Sequence, residues 1–438
     1  MIYLRQPHLP LSHVRLFYPR TLSSIDTTTS PAQRSLAQRQ ILRGTQRATR
    51  AEFMREVEQL GAEISLNDQP MVQSLNAITL TRTLPQLLLL LSECLREPRF
   101  DHVEFAQSQR ALCAELSSRY DDDSELAWLW FSRRLYSTHA LWDELAVTEE
   151  RIREVSLDQL RYLWPEIYSS SSVLPCLTSN IDEDEMRGMM VASGLISTLD
   201  LSAESFTARS LSWPELDPLR RTTLTLVHKA GRSQAQILIG HPVPAPNDPR
   251  YLKLSLAICA MGGMFSSPLM QEVRVKRGLS YDAHAAIRGE GATRFITLSA
   301  SPDVNDCLKT LDVMLNVFTE TIEGALSDEE LERAKSYLIN VHPFSIETPM
   351  MRASLIANAH LQGLDPSEAL DTPRRLAKIT PEEARSVARE LLNPHALEVL
   401  ILTDQEELQS QVDAIKARLK AQVILSIDGR DQPEAALT

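Results

Sequence analysis

Hydrophobic and polar positions change their spacing repeatedly along the chain, and the changes mark its elements. Residues 1–4 and 14–18 alternate as short strands on either side of His8-Leu9-Pro10. Ser30-Pro31 opens a helix that runs to Arg43 and stops at Gly44, and Thr49 with Glu52 forms a capping box for the next helix, which closes at Gly61. Residues 62–66 and 72–82 alternate as paired strands about the turn Asn67-Asp68-Gln69-Pro70. Helical spacing then dominates over 84–95, 100–119, 124–136 and 156–168, followed by a strand at 174–178 and a helix from Glu183.

The pattern occurs twice. Val155-Ser156-Leu157-Asp158-Gln159 recurs as Ile379-Thr380-Pro381-Glu382-Glu383, each a hydroxyl N-cap with a Glu or Gln three residues on. The same 224-residue offset sets the strand-like run from Val173 against that from Leu397, and similar offsets pair 14–18 with 236–240, Thr79-Leu80-Thr81 with Thr297-Leu298-Ser299, and Asp101 with Ser327. Ordered pairs at near-constant spacing predict an α+β protein of two homologous domains, each a sheet with helices. The expected division is 1–200 and 219–438, joined by a Ser- and Pro-containing linker over 201–218.

Composition narrows the class. The chain has 438 residues, 43% of them hydrophobic, enough to bury full cores. Its net charge of −13 and the lack of a dominant Lys/Arg run argue against a nucleic-acid surface and point to protein or peptide partners. Five scattered cysteines without a CxxC pair suggest neither a disulfide framework nor a cysteine zinc site, but small buried residues. Leu87 to Leu91 is too short to cross a bilayer and belongs to a core helix. Met1 to Arg5 lacks the apolar core of a signal peptide, although a leader could precede it, so the compartment stays open between bacterial periplasm and cytoplasm. The runs Asp121-Asp122-Asp123 and Asp182-Glu183-Asp184-Glu185 read as solvated faces.

The densest chemistry lies between Met261 and Tyr281. A glycine pair, Gly262-Gly263, opens a loop through Phe265; an apolar and basic segment then has helical spacing, and Gly278 sits where a helix would stop before a strand. That corner brings the Arg274 guanidinium and the Tyr281 phenol to one place. Gly262 to Ser267 and Arg274-Val275-Lys276-Arg277-Gly278-Leu279-Ser280-Tyr281 resemble the C-terminal domain of M16B metallopeptidases, relatives of insulin-degrading enzyme, pitrilysin and mitochondrial processing peptidase. Arg43-Gly44-Thr45 and Leu60-Gly61-Ala62-Glu63-Ile64 are similar to the corresponding N-terminal half, so the resemblance covers nearly the whole chain.

Active members of that family carry HxxEH on the first helix and a further Glu roughly 75 residues on; two imidazoles on one helix face hold Zn²⁺ and the carboxylate takes a proton from its water. Counting back from Gly44, the matching slot here is Ser35-Leu36-Ala37-Gln38-Arg39, and starting at Gln38 instead ends it on Leu42. Serine is a poor neutral ligand, a glutamine amide is no base, and arginine brings positive charge to a cation site. Only Glu115 matches the third-ligand position. None of the ten histidines forms an i,i+3 or i,i+4 pair.

The resemblance therefore implies a zinc-free subunit. In such members an Arg and a Tyr seven apart contact the substrate backbone and scissile carbonyl, positions held here by Arg274 and Tyr281, with Gly262, Gly263 and Phe265 beside them as substrate-binding residues. The expectation is a non-catalytic subunit of a heterodimeric peptidase, inactive alone and binding no cofactor, whose HxxEH-bearing partner carries the zinc and with which it encloses peptide substrates. The alternative is a scaffold resembling the core proteins of respiratory complexes. On this account the isolated chain purifies without stoichiometric zinc and cleaves no peptide; metal analysis that found one zinc per active chain would contradict it.

Overall fold

The computed structural model describes residues 1–19, 30–136, 139, 141, 147–168, 173–196, 215–420 and 423–428. Residues 201–214 of the expected linker thus lie outside the described residues, and just beyond them Leu216 is buried.

Among the described residues eleven strands build two sheets. β1 (Ile2–Arg5), β2 (Leu11–Pro19), β3 (Glu63–Asp68), β4 (Val72–Leu80) and β5 (Leu174–Ser179) form the first, in the order β1-β5-β2-β4-β3. β6 (Thr223–His228), β7 (Gln236–Pro242), β8 (Ser280–Arg288), β9 (Phe295–Pro302), β10 (Glu398–Thr403) and β11 (Val423–Asp428) form the second, in the order β11-β6-β10-β7-β9-β8. Apart from β11 the two orders are the same. β1 pairs parallel with β5 and β6 with β10, the added β11 also runs parallel to β6, and the remaining neighbours are antiparallel.

The principal helices are α1 (Pro31–Gln40), α2 (Arg50–Gln59), α3 (Leu84–Arg96), α4 (His102–Arg119), α5 (Asp123–Leu135), α6 (Leu157–Ile167), α7 (Glu183–Ala192), α8 (Tyr251–Gly262), α9 (Cys307–Glu323), α10 (Asp328–Ser345), α11 (Pro349–Leu361), α12 (Pro381–Leu391) and α13 (Gln405–Leu419). The capping boxes legible in sequence, at Thr49, Ser156 and Thr380, close as hydrogen-bonded pairs, and another forms at Ser30. α6 and α12 keep the 224-residue spacing at both ends, as do β5 and β10. Asp101 and Ser327 each open a helix, accepting the backbone N–H groups of Glu104 and Glu330.

Two sequence correspondences need correction, the pairing of 14–18 with 236–240, which is out by one residue, and that of the Thr/Leu strings. Val14 lies opposite Leu177 and Ala77, whereas Ile237 lies opposite Ile401 and Ala300. Ala77 thus matches Ala300, and the pairing of Thr79-Leu80-Thr81 with Thr297-Leu298-Ser299 is out by several residues. Short Thr/Leu strings suit any half-buried strand, so they do not fix register; cross-strand partners do.

The sheets also explain why β5 and β10 are buried at every position and read as continuous rather than alternating runs. Leu177 faces the core that includes α1, α3 and α6, while Leu174 and Cys176 pack against Ala353, Ala357 and Leu361 of α11. In the second sheet Val399 and Ile401 join the core with α8, α9 and α12, and α5 lies over β7 and β10. α11 belongs to the compact unit of the first sheet and α5 to that of the second, so each unit includes a helix from the other half of the sequence. Gly240 permits the α5 contact: a Cβ there would lie 3.2 Å from the Phe131 ring and 1.9 Å from the Ile296 carbonyl oxygen. All five cysteines are free and buried.

Under α5, Glu398 is 2% exposed, accepts a 2.7 Å hydrogen bond from the Thr225 hydroxyl, and has the Arg134 guanidinium 3.7 Å away. Burial outweighs that nearby charge and pushes its carboxyl up to about 7 from an ordinary 4.5. The folded state therefore holds this proton more tightly than the unfolded chain. Its stabilising contribution is present below about pH 4.5 and is lost as pH rises through about 7. In urea denaturation, the stability difference between wild type and Glu398→Gln is expected to shift in favour of the variant across that window; a pH-independent difference would contradict the assignment.

Candidate functional site

The segment from Gly262 to Tyr281 is built as a clamp. α8 ends at the glycine pair, with the Gly263 N–H donating to the Cys259 carbonyl at 2.9 Å. Gly262 is buried against β8, where a Cβ would sit 2.5 Å from that of Ala285. The glycine thus sets how closely α8 approaches the edge strand. Ser267 and Gln271 fix the loop that follows: the Ser267 hydroxyl donates to the Met264 carbonyl at 2.5 Å, and the Gln271 amide to the Phe265 carbonyl at 2.9 Å.

The expected regular helix is instead one short turn, Pro268–Met270, continued by a π-helical turn, Gln271–Val275. Lys276 N–H reaches back to the Gln271 carbonyl, Gly278 to Arg274 and Leu279 to Val273. The last two bonds each span one residue more than in an ordinary Schellman ending. Gly278 closes the turn at φ +62°, with nothing near a built Cβ, so backbone conformation alone accounts for glycine there. Gly61 holds the equivalent corner before β3 at φ +61°.

β8 then begins with a bulge between Ser280 and Ala283. Ser280 closes it, donating to the Asp282 carbonyl and accepting the Ser301 N–H. Two successive residues, Tyr281 and Asp282, consequently face solvent instead of alternating. Tyr281 is 82% exposed on an edge strand. The Arg274 guanidinium carbon lies 4.1 Å from the Tyr281 ring centroid and 5.4 Å from that of Phe265, which is also exposed.

Charge completes the arrangement. Glu272, the nearest carboxylate on the same turn, is held well below the usual carboxylate range by hydrogen bonds from Lys276 and Arg277. With Glu272 so engaged, Arg274 has no carboxylate partner among the described residues, and its charge rests between two aromatic rings. A guanidinium so placed offers several N–H donors to a carbonyl or oxyanion, and the Tyr281 hydroxyl adds another. The structure therefore brings together Phe265, Arg274 and Tyr281. Gln271, Glu272 and Ser280, which hold them, were not singled out in sequence; only the i,i+4 pair Glu272–Lys276 left a readable sign.

The first-half slot also assembles, but with different chemistry. The Ser35 hydroxyl donates to Asp68 at 2.6 Å and the Gln38 amide to the Asn67 carbonyl at 2.8 Å. Arg39 makes a two-pronged contact with Glu115, at 3.0 and 2.5 Å. A cationic guanidinium on the carboxylate at the third-ligand position does not fit a divalent metal. Among the described residues no group of three or more His, Cys, Asp or Glu side chains could hold a metal ion, and no helix is long and apolar enough to cross a membrane. Nor are the acidic runs simply solvated: Asp122 caps α5 and Asp123 takes Lys229 and Arg232, while Asp182 pairs with Arg5 and Glu183 with Arg187.

Gly262→Ala is expected to cost about 1–3 kcal/mol through overpacking against Ala285, read by urea denaturation; a loss indistinguishable from zero would show that α8 does not depend on this close approach.

Comparison with known proteins agrees with this architecture. The chain is 22% identical over 364 residues to an uncharacterized zinc protease of Streptomyces coelicolor, covering 80% of this chain and 76% of that one. It is 22% identical over 275 residues to a non-peptidase homolog of Helicobacter pylori, covering 63% and 62%. The fold matches the crystal structure of a peptidase M16 inactive domain from Pseudomonas fluorescens with TM-score 0.80 at 18% identity, over 92% of this chain and 94% of that one. Residues 154–338 match the family described as peptidase M16 inactive domain.

Proposed function

We propose that this protein is the zinc-free subunit of a heterodimeric M16B-type peptidase, contributing Arg274 and Tyr281 to a site whose metal is carried by an HxxEH-bearing partner. The observation that supports it most is the Arg274 guanidinium, stacked between Phe265 and Tyr281 while Glu272 is occupied by Lys276 and Arg277. An arginine kept free of ion pairs at an exposed edge is poised for a ligand; one needed only for folding would gain from a carboxylate.

In this reading Arg274 orients the peptide backbone and adds positive potential, and the Tyr281 hydroxyl donates to the carbonyl oxygen as negative charge develops. The π turn and the bulge of β8 set the backbone positions from which both donors project. Phe265 also lies beside the guanidinium, 5.4 Å from ring centroid to guanidinium carbon. The partner's strand edge would hold the extended peptide.

The test uses the assembled complex of this chain with its HxxEH-bearing partner. Arg274→Ala and Tyr281→Phe are each expected to lower peptide turnover by on the order of 10²-fold, with an unchanged elution volume showing that the heterodimer persists. Full activity in both variants would sink the shared-site reading and favour a scaffolding role.

A further inference from the structure

We infer that the Arg39–Glu115 ion pair is a built-in substitute for a bound cation, joining α1 to α4 and closing the first-half slot to divalent metals. This goes beyond the role of Arg274 and Tyr281 and stands or falls separately. A divalent ion at such a slot does two structural things: it neutralises the carboxylate, and it cross-links the segments that supply its ligands. Arg39 does both. Its planar fork meets both Glu115 oxygens, at 3.0 and 2.5 Å, across 76 residues of sequence.

The neighbouring slot residues have turned to protein partners as well. One helical turn before Arg39, Ser35 bonds Asp68, and the buried Gln38 bonds the Asn67 carbonyl, fastening α1 to the end of β3. Gln73 strengthens that end, donating to Asp68 at 3.0 Å and to the Arg34 carbonyl at 3.2 Å. Every polar side chain of the slot thus has an intramolecular partner that would have to be broken before a metal could enter. The arginine also repels a cation directly. The side chains of Arg39 and Glu115 are 27% and 58% exposed, so the pair's contribution to stability is modest and its effect on metal exclusion is the sharper signature.

Two experiments on the full chain test this. In a charge-reversal cycle, R39E and E115R each lower Tm by about 2–4 °C, and the R39E/E115R double variant recovers most of the loss; a double variant no more stable than the sum of its singles would overturn the inference. In zinc titrations followed by metal analysis after desalting, wild type and S35H/Q38E, both retaining Arg39, take up no zinc chloride. S35H/Q38E/R39H, with Glu115 in place, takes up one equivalent and becomes sensitive to EDTA. Zinc uptake by the Arg39-retaining chains, or none by a triple variant with native circular dichroism, would overturn it. If the triple variant does not fold, the charge-reversal cycle decides.

Discussion

A strand buried on both faces requires two covering layers, and β5 and β10 are such strands at every position. On one side each is covered by helices of its own half. On the other, α11 seals β5 with Ala353, Ala357 and Leu361, and α5 lies over β10. Each sheet therefore depends on a helix from the other half of the sequence, and the duplicated halves complete one another's cores. Burial of apolar surface rewards this strongly, at about 25 cal/mol per Å². It also explains why a carboxylate survives at Glu398: α5, which removes it from water, brings Arg134 near it, while Thr225 supplies a hydrogen bond.

On this duplicated frame the two halves have diverged at equivalent corners. Both approach an edge strand through a left-handed glycine, Gly61 before β3 and Gly278 before β8. In the first half, Ser35, Gln38 and Arg39 of α1 engage Asp68, Asn67 and Glu115, and among the described residues no metal-ligand set is present. In the second, a π turn and a bulge push Arg274 and Tyr281 outward and leave their donors unused among the described residues. One site is closed by internal bonds; the other is kept open at the surface. That asymmetry is the feature on which the proposed role as a metal-free subunit rests.

Much of this was legible in sequence for physical reasons. Capping boxes at Ser156 and Thr380 are local, so their residues announce the helix starts, and the glycine at 278 announced its turn. The repeat spacing predicted two sheets with helices. What was not legible depended on long-range geometry. Helical periodicity does not say which sheet a helix will cover, so the placement of α5 and α11 was invisible. The bulge that exposes Tyr281 arises from pairing with β9, not from residue types. Arg39 was noted as a departure from a metal site and Glu115 as the one match to it, but 76 residues of separation concealed that they answer each other. Glu398 did leave a sign, a lone carboxylate in an apolar strand, and its consequence needed the covering helix to appear.

The central claim is that Arg274 and Tyr281 bind a reacting peptide more tightly than a resting one. Calorimetric titration of the heterodimer compares a phosphinic peptide, which mimics the tetrahedral intermediate, with a matched non-cleavable peptide mimicking the ground state. The account predicts that Tyr281→Phe weakens the phosphinic ligand by on the order of 10²-fold while scarcely altering the ground-state peptide. Equal weakening of both ligands, or of neither, would contradict it.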